Sequence, residues 1–237
     1  MGFYLFKYYL YDKELIMNEQ YWDNLFLSMK KTLERENSPL PSVSLIALNT
    51  NNNPFCILTS TIISLRTKDK VTLEASNRLF EIAKSPEDLL KQDRNTIERA
   101  IYPCAFYKRK TDNIIKISEI LLEKYEGKVP STTEELLDLP GVGIKTANLT
   151  LNLAFNIKAI CVDCHVHQIA NRMGWIKTKT AEESEKELQK IMPKKYWIIL
   201  NELLVSYGQI ICTPISPKCS ICSENKHCPK IGVVKSR

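Results

Sequence analysis

The chain reads as an all-α protein on three observations. Apolar–polar alternation with a period of two, the mark of a half-buried strand, is nearly absent. Helix-start signals recur along the sequence. The stretches between periodic segments are short, with no internal repeat, heptad run or long linker. A length of 237 residues allows one large domain or two small ones, and 44 % hydrophobic residues suffice for a packed core and argue against disorder. Lys and Arg number 33 against 27 Asp and Glu, a net +6. So mild an excess suits a polyanionic partner without demanding one. Eight cysteines without a secretory signal place the chain in a reducing, intracellular compartment, where thiols bind metal or are buried.

The opening, MGFYLFKYYLYDKELIM, is aromatic and interrupted by Lys7. It is too short to span a bilayer, so no membrane partner is expected. It has neither the basic start nor the small-residue cleavage site of a signal peptide. Phe6 stands where a myristoylation motif wants Ser or Thr. Residues 1–16 read as an edge helix or a ragged end, with Met17 as an alternative start. Further on, Asn49 to Asn53 is the clearest loop. Ser85-Pro86-Glu87-Asp88 supplies an N-cap, a proline at the first helical position and acids in the first turn. Ile114, Ile117, Ile120, Leu121 and Leu122 mark one face of a helix between Tyr107 and Tyr125. Ser131 with Glu134, or Thr132 with Glu135, opens a helix through Leu137, and Thr180-Ala-Glu-Glu opens another that Pro193 ends. These signals add up to roughly ten helices.

Three groups of residues carry chemistry. The first is Leu139-Pro140-Gly141-Val142-Gly143-Ile144-Lys145-Thr146-Ala147. Pro140 to Gly143 make a tight turn and Ile144 to Phe155 the helix behind it. Glycines take positive φ and let the backbone approach another molecule. The N–H groups at such a helix start suit a phosphate, and Val142 packs down into the hairpin. Lys145 lies in the first turn, where the positive end of the helix dipole disfavours an ammonium and favours the neutral amine of a nucleophile. The second group is Val162-Asp163-Cys164-His165, where Asp163 is placed to cap a helix and to hold an anion beside a developing positive charge. The third is Cys212, Cys219, Cys222 and Cys228, spaced C-x6-C-x2-C-x5-C, which suits an iron–sulfur cluster or a structural zinc.

Together these groups resemble endonuclease III, the helix-hairpin-helix DNA glycosylase and AP lyase, from about Phe55 to Cys228. The resemblance implies two helical lobes with DNA in the cleft between them. Residues 1–46 form an N-terminal extension and helix that pack with the cluster lobe. Residues 47–157 form a six-helix barrel with the hairpin at 131–155, and residues 158–237 the cluster lobe with its C-terminal loop. It implies a [4Fe–4S] cluster on the four cysteines, Lys145 as nucleophile and Asp163 as its electrostatic partner. The substrate it implies is double-stranded DNA with a damaged base, an oxidised pyrimidine, or an abasic site. The enzyme would act as a monomer with the genome. Two loops, residues 64–69 and 103–108, would fill the gap left by an extruded nucleotide.

The departures from the family pattern fall in those loops. Many members carry Gln at Arg66 and Leu at Phe106. Arg66 would hydrogen-bond and stack on bases, or contact a phosphate; Phe106 would be an inserted wedge or a core residue. Gly141, Val142 and Gly143 would meet the DNA backbone. Lys108, Arg109 and Lys110 would form a solvated, phosphate-attracting helix face. Cys161 and Cys164 flank Asp163, where relatives usually carry a small apolar residue and Thr; they read as packing residues, with a redox pair the rarer alternative. Two other identities fit parts of the pattern. A mismatch-specific adenine glycosylase shares hairpin, aspartate and cysteines but typically lacks the lysine. A non-catalytic helix-hairpin-helix DNA-binding protein with structural zinc would need neither Lys145 nor Asp163.

Overall fold

The computed structural model describes residues 17–237. The readings made of residues 1–16 lie outside the described residues. Among the described residues there are twelve α-helices, one short 3-10 turn and no strand. The chain forms two compact units. One is Leu40–Cys161; the other joins the described residues up to Pro39 to Val162–Arg237.

The continuous unit holds α2 (Ser42–Asn49), α3 (Pro54–Ser64), α4 (Asp69–Ile82), α5 (Pro86–Leu90), α6 (Arg94–Ile101), α7 (Tyr107–Tyr125), α8 (Thr133–Leu137) and α9 (Ile144–Phe155). Its centre is α3, Pro-Phe-Cys-Ile-Leu-Thr-Ser-Thr-Ile-Ile-Ser, apolar or small on every side. Such a helix has no solvent face to offer and must be wrapped. Phe55 through Ile63 are all buried, and α2, α4, α7 and α9 pack around them. The Ser42 amide and hydroxyl bond Asp69 at 2.9 and 2.7 Å, which seats α2 against the start of α4 and explains why it belongs to this unit.

The caps sit where the sequence puts them. Ser85 accepts from the Asp88 amide, Thr132 (not Ser131) from the Glu135 amide, and Thr180 and Glu183 close a reciprocal capping box. Asn53 caps α3 after Asn51 and Asn52 turn the chain in left-handed conformation. Each cap satisfies an amide that has no intrahelical partner, worth ~1 kcal/mol.

The discontinuous unit holds α1 (Glu19–Arg35), α10 (Cys164–Arg172), α11 (Ala181–Ile191) and α12 (Trp197–Ile210). Helix α12 packs on α10 and on α1. Aromatic contacts fasten α1 to the rest. The rings of Trp22 and Trp175 stand 5.1 Å apart edge to face, and Phe26 lies 4.6 Å from Tyr196. Trp175 Nε1 donates to the Tyr21 hydroxyl at 2.8 Å, and the Ser28 hydroxyl donates to buried Glu224 at 2.7 Å. No described helix is long and apolar enough to cross a membrane.

Candidate functional site

The hairpin gives its two glycines different tasks. Gly141 has φ +78, and a Cβ built on it would lie 2.2 Å from Asn113 Nδ2. Only glycine fits there without displacing Asn113. Gly143 has φ −105 and ψ 176, ordinary extended backbone, as the N-cap residue of α9. A Cβ on it would meet nothing within 4 Å. Its lack of a side chain leaves the α9 amides open to an incoming group. Val142 points into the core of the unit. Lys145, second residue of α9, is half-buried.

Two buried asparagines on α9 hold the chain that follows it. Asn148 Nδ2 donates to Ile160 O at 2.9 Å, and Asn152 Oδ1 accepts from the Ala159 amide at 3.1 Å. The buried Cys161 thiol donates to the Lys145 carbonyl at 3.6 Å. These contacts fix residues 159–161 on the helix of Lys145, within the continuous unit. Nothing in the sequence announced them, because a buried Asn on a helix has no spacing signature.

Asp163 is half-buried and caps α10: its Oδ1 accepts from the His165 and Val166 amides, both at 2.9 Å. Asp163, Cys164 and His165 bring their ligand-type atoms within 4.8 Å of one another. Three successive residues around an N-cap do so by proximity alone.

The Arg66 and Phe106 loops meet. Both residues are exposed, and both are left-handed without being glycine, at φ 54 and φ 57. The Arg66 guanidinium carbon lies 5.9 Å from the Phe106 ring centroid. Phe106 is 62 % exposed, so it is not a core residue. Lys108 and Arg109 are exposed as expected. Lys110 is not: it is 5 % exposed, and its Nζ donates to Ile63 O, Leu65 O and Thr67 Oγ1 at 2.7, 2.8 and 2.8 Å. A helix turns about 100° per residue, so three successive basic residues cannot share one face. The third faces the interior and finds acceptors there.

The four cysteines Cys212, Cys219, Cys222 and Cys228 line one small cavity, with Arg172 and Tyr207 beside them. Their surroundings offer donors to sulfur. Arg172 Nη1 lies 3.5 Å from Cys212 Sγ, the Lys230 amide 3.3 Å from Cys228 Sγ, and the Tyr207 hydroxyl 3.2 Å from Cys222 Sγ. Burial pushes the Cys212, Cys222 and Cys228 thiols up, so thiolates here need a cation for company. Arg172 also shapes the loop, donating to Thr213 O at 2.8 Å and Pro214 O at 2.7 Å. Gln168 Nε2 reaches Cys212 O at 2.9 Å. A soft metal centre fits this donor set.

An open helix-start hairpin followed by a lysine, a capping aspartate and a four-cysteine loop in an all-helical frame define a class of DNA repair protein. Residues 59–194 match the family described as HhH-GPD superfamily base excision DNA repair protein. Endonuclease III of Thermotoga maritima is 45 % identical over 176 residues, 74 % of this chain and 83 % of that protein. The chloroplastic endonuclease III homolog 2 of Arabidopsis thaliana is 40 % identical over 221 residues, 88 % of this chain but 57 % of that longer protein. A solved trapped endonuclease III–DNA covalent intermediate, an estranged-adenine complex, superposes with a TM-score of 0.76 at 30 % identity, covering 90 % of this chain and 96 % of that one. The chain belongs to the endonuclease III family of the HhH-GPD superfamily.

Proposed function

We propose that this chain removes oxidised pyrimidines from duplex DNA and cuts the strand at the resulting sugar, as a DNA glycosylase and AP lyase of base excision repair. One observation carries the reading: a half-buried primary amine, Lys145, stands in the first turn of α9, directly behind a hairpin open to phosphate. The backbone N–H groups at Gly143 and beyond bind the DNA strand without reading sequence. The damaged nucleotide leaves the stack, since the bond to be broken is hidden inside the duplex. The Lys145 amine then attacks C1′. The C1′–N bond to the base breaks, and the base departs with the electron pair and takes up a proton. Asp163 stabilises the positive charge that gathers on the sugar. The ring opens to a Schiff base on Lys145. Loss of a C2′ proton sends electrons toward the iminium, the C3′–O bond breaks, and the 3′ phosphate leaves. Arg66 and Phe106 enter the space vacated in the stack, and Lys108 contacts the phosphates.

Cys212, Cys219, Cys222 and Cys228 would hold a [4Fe–4S] cluster. Bound there it supplies a crosslink for the loop between α12 and the C-terminus and takes no part in base excision.

Borohydride trapping on a duplex with one oxidised pyrimidine tests the reading. The unaltered protein becomes covalently linked to DNA, and Lys145→Gln does not. A Lys145→Gln protein that still nicks such a strand at the normal rate refutes the mechanism. Iron and sulfide analysis tests the cluster: Cys222→Ser loses iron, and full iron content in that variant refutes the ligand assignment.

A further inference from the structure

Lys110 has no part in the chemistry above, yet among the described residues it is the only buried lysine. It holds both loops at once. Its Nζ reaches the carbonyls of Ile63 and Leu65 and the Thr67 hydroxyl, on both sides of Arg66. Its backbone amide donates to Phe106 O at 3.0 Å. An ammonium has three N–H donors and no acceptor, and here three acceptors meet it. A neutral amine has two donors and would turn a lone pair toward the third.

Arg66 and Phe106 both occupy left-handed backbone, which costs a non-glycine residue about 1–2 kcal/mol and persists only where the surroundings over-determine it. Lys110 is the side chain that does so for Arg66. Resting on the excision reading above, we infer that Lys110 is a positioning residue: by tying the Arg66 loop to the helix that begins behind Phe106, it fixes the pair that meets the base left opposite an extruded nucleotide, and so sets the opposite-base preference. The contact between the Arg66 guanidinium and the Phe106 ring is the geometry it preserves.

Burial pushes the Lys110 ammonium down to about 8. The titratable group that acts on it is the Cys104 thiol, which burial pushes up and so keeps neutral; the Arg78 guanidinium acts on that thiol in turn. The clamp therefore loosens as pH rises through that value.

The experiment compares the unaltered protein with Lys110→Met and Thr67→Val. Hydrogen exchange is followed at residues 64–68 without DNA. Affinity is measured for duplexes carrying a tetrahydrofuran abasic analogue opposite each of the four bases, at pH 7 and pH 9. Lys110→Met speeds exchange at 64–68 and narrows the spread between best and worst opposite base about tenfold, the scale of a lost charged hydrogen bond. Thr67→Val does the same to a lesser degree, and undamaged duplex binds all three proteins alike. The unaltered protein loses discrimination from pH 7 to pH 9, whereas Lys110→Met does not change. A folded Lys110→Met with normal exchange and the normal base ranking overturns the inference. Should Lys110→Met not fold, an unchanged Thr67→Val together with a flat pH series overturns it. The exchange arm needs no DNA, so failure of the clamp is separable from failure of the excision reading, which borohydride trapping reports.

Discussion

The Asp163 carboxylate caps α10 through one oxygen, Oδ1, which both amides share. An asparagine can accept from the same two amides with its carbonyl oxygen, and Asn caps a helix about as well as Asp. Substitution therefore separates cap from charge. Asp163→Asn is expected to melt close to the normal temperature and to excise about a hundredfold more slowly, the scale of a lost electrostatic contact at a transition state. Asp163→Ala loses the cap as well, a further ~1 kcal/mol of stability. Thermal melts and single-turnover excision measure the two effects independently. An Asp163→Asn enzyme working at the normal rate would leave the carboxylate a cap and nothing more. At this scale the sequence is legible where a residue acts on its near neighbours, as Asp163, Thr180 and Ser85 do within three positions. It is illegible for Lys110, whose acceptors lie 43 to 47 residues away, and for Arg172, which reaches some 40 residues to its loop.

At the scale of the element, the hairpin between α8 and α9 divides the needs of its fold from those of its ligand. Gly141 answers to the fold, through its positive φ and the Asn113 side chain against it. Gly143 answers to whatever approaches α9, since its own backbone is unstrained and its surroundings are open. Gly141→Ala is expected to destabilise the protein by about 1–2 kcal/mol, because an L side chain must enter left-handed backbone. Gly143→Ala is expected to change stability by no more than about 0.5 kcal/mol, a weaker cap offset by a stiffer unfolded chain. It weakens duplex binding nonetheless, by placing a methyl group in the path of the phosphate. Denaturant melts and a binding titration decide. Equal losses of stability in the two variants, or unaltered duplex affinity in Gly143→Ala, would contradict the division. The Leu-Pro-Gly-Val-Gly pattern announced the turn and the helix. It did not say which glycine served which purpose, because that depends on Asn113, a residue of α7.

On the scale of the whole molecule, the two units differ in what holds them. The Leu40–Cys161 unit is continuous in sequence and wraps α3 in a core that runs from Ile46 to Leu151. The other unit gathers α1 from one end of the chain and α10 to α12 from the other, and closes on residues 211–237, a segment after α12 with no helix in it. That loop is held by Arg172, Gln168 and the donors around the four sulfurs. Burial pushes the Cys212, Cys222 and Cys228 thiols up, and without a metal the four cysteines repay little of the entropy of ordering their loop. If the four cysteines hold the proposed cluster, stripping its iron should act on one unit only. In hydrogen exchange on metal-depleted protein, amides of α10 and α12 and of residues 212–230 are expected to lose protection, while those of α3, α7 and α9 keep it. Thermal unfolding then splits into two transitions, of which only the earlier moves when iron and sulfide are restored. Cys222→Ser should reproduce the depleted pattern with no chelator present. A single transition reported alike by both sets of amides, before and after depletion, would mean that the loop stands without its metal and that the four cysteines serve some purpose other than holding this unit together.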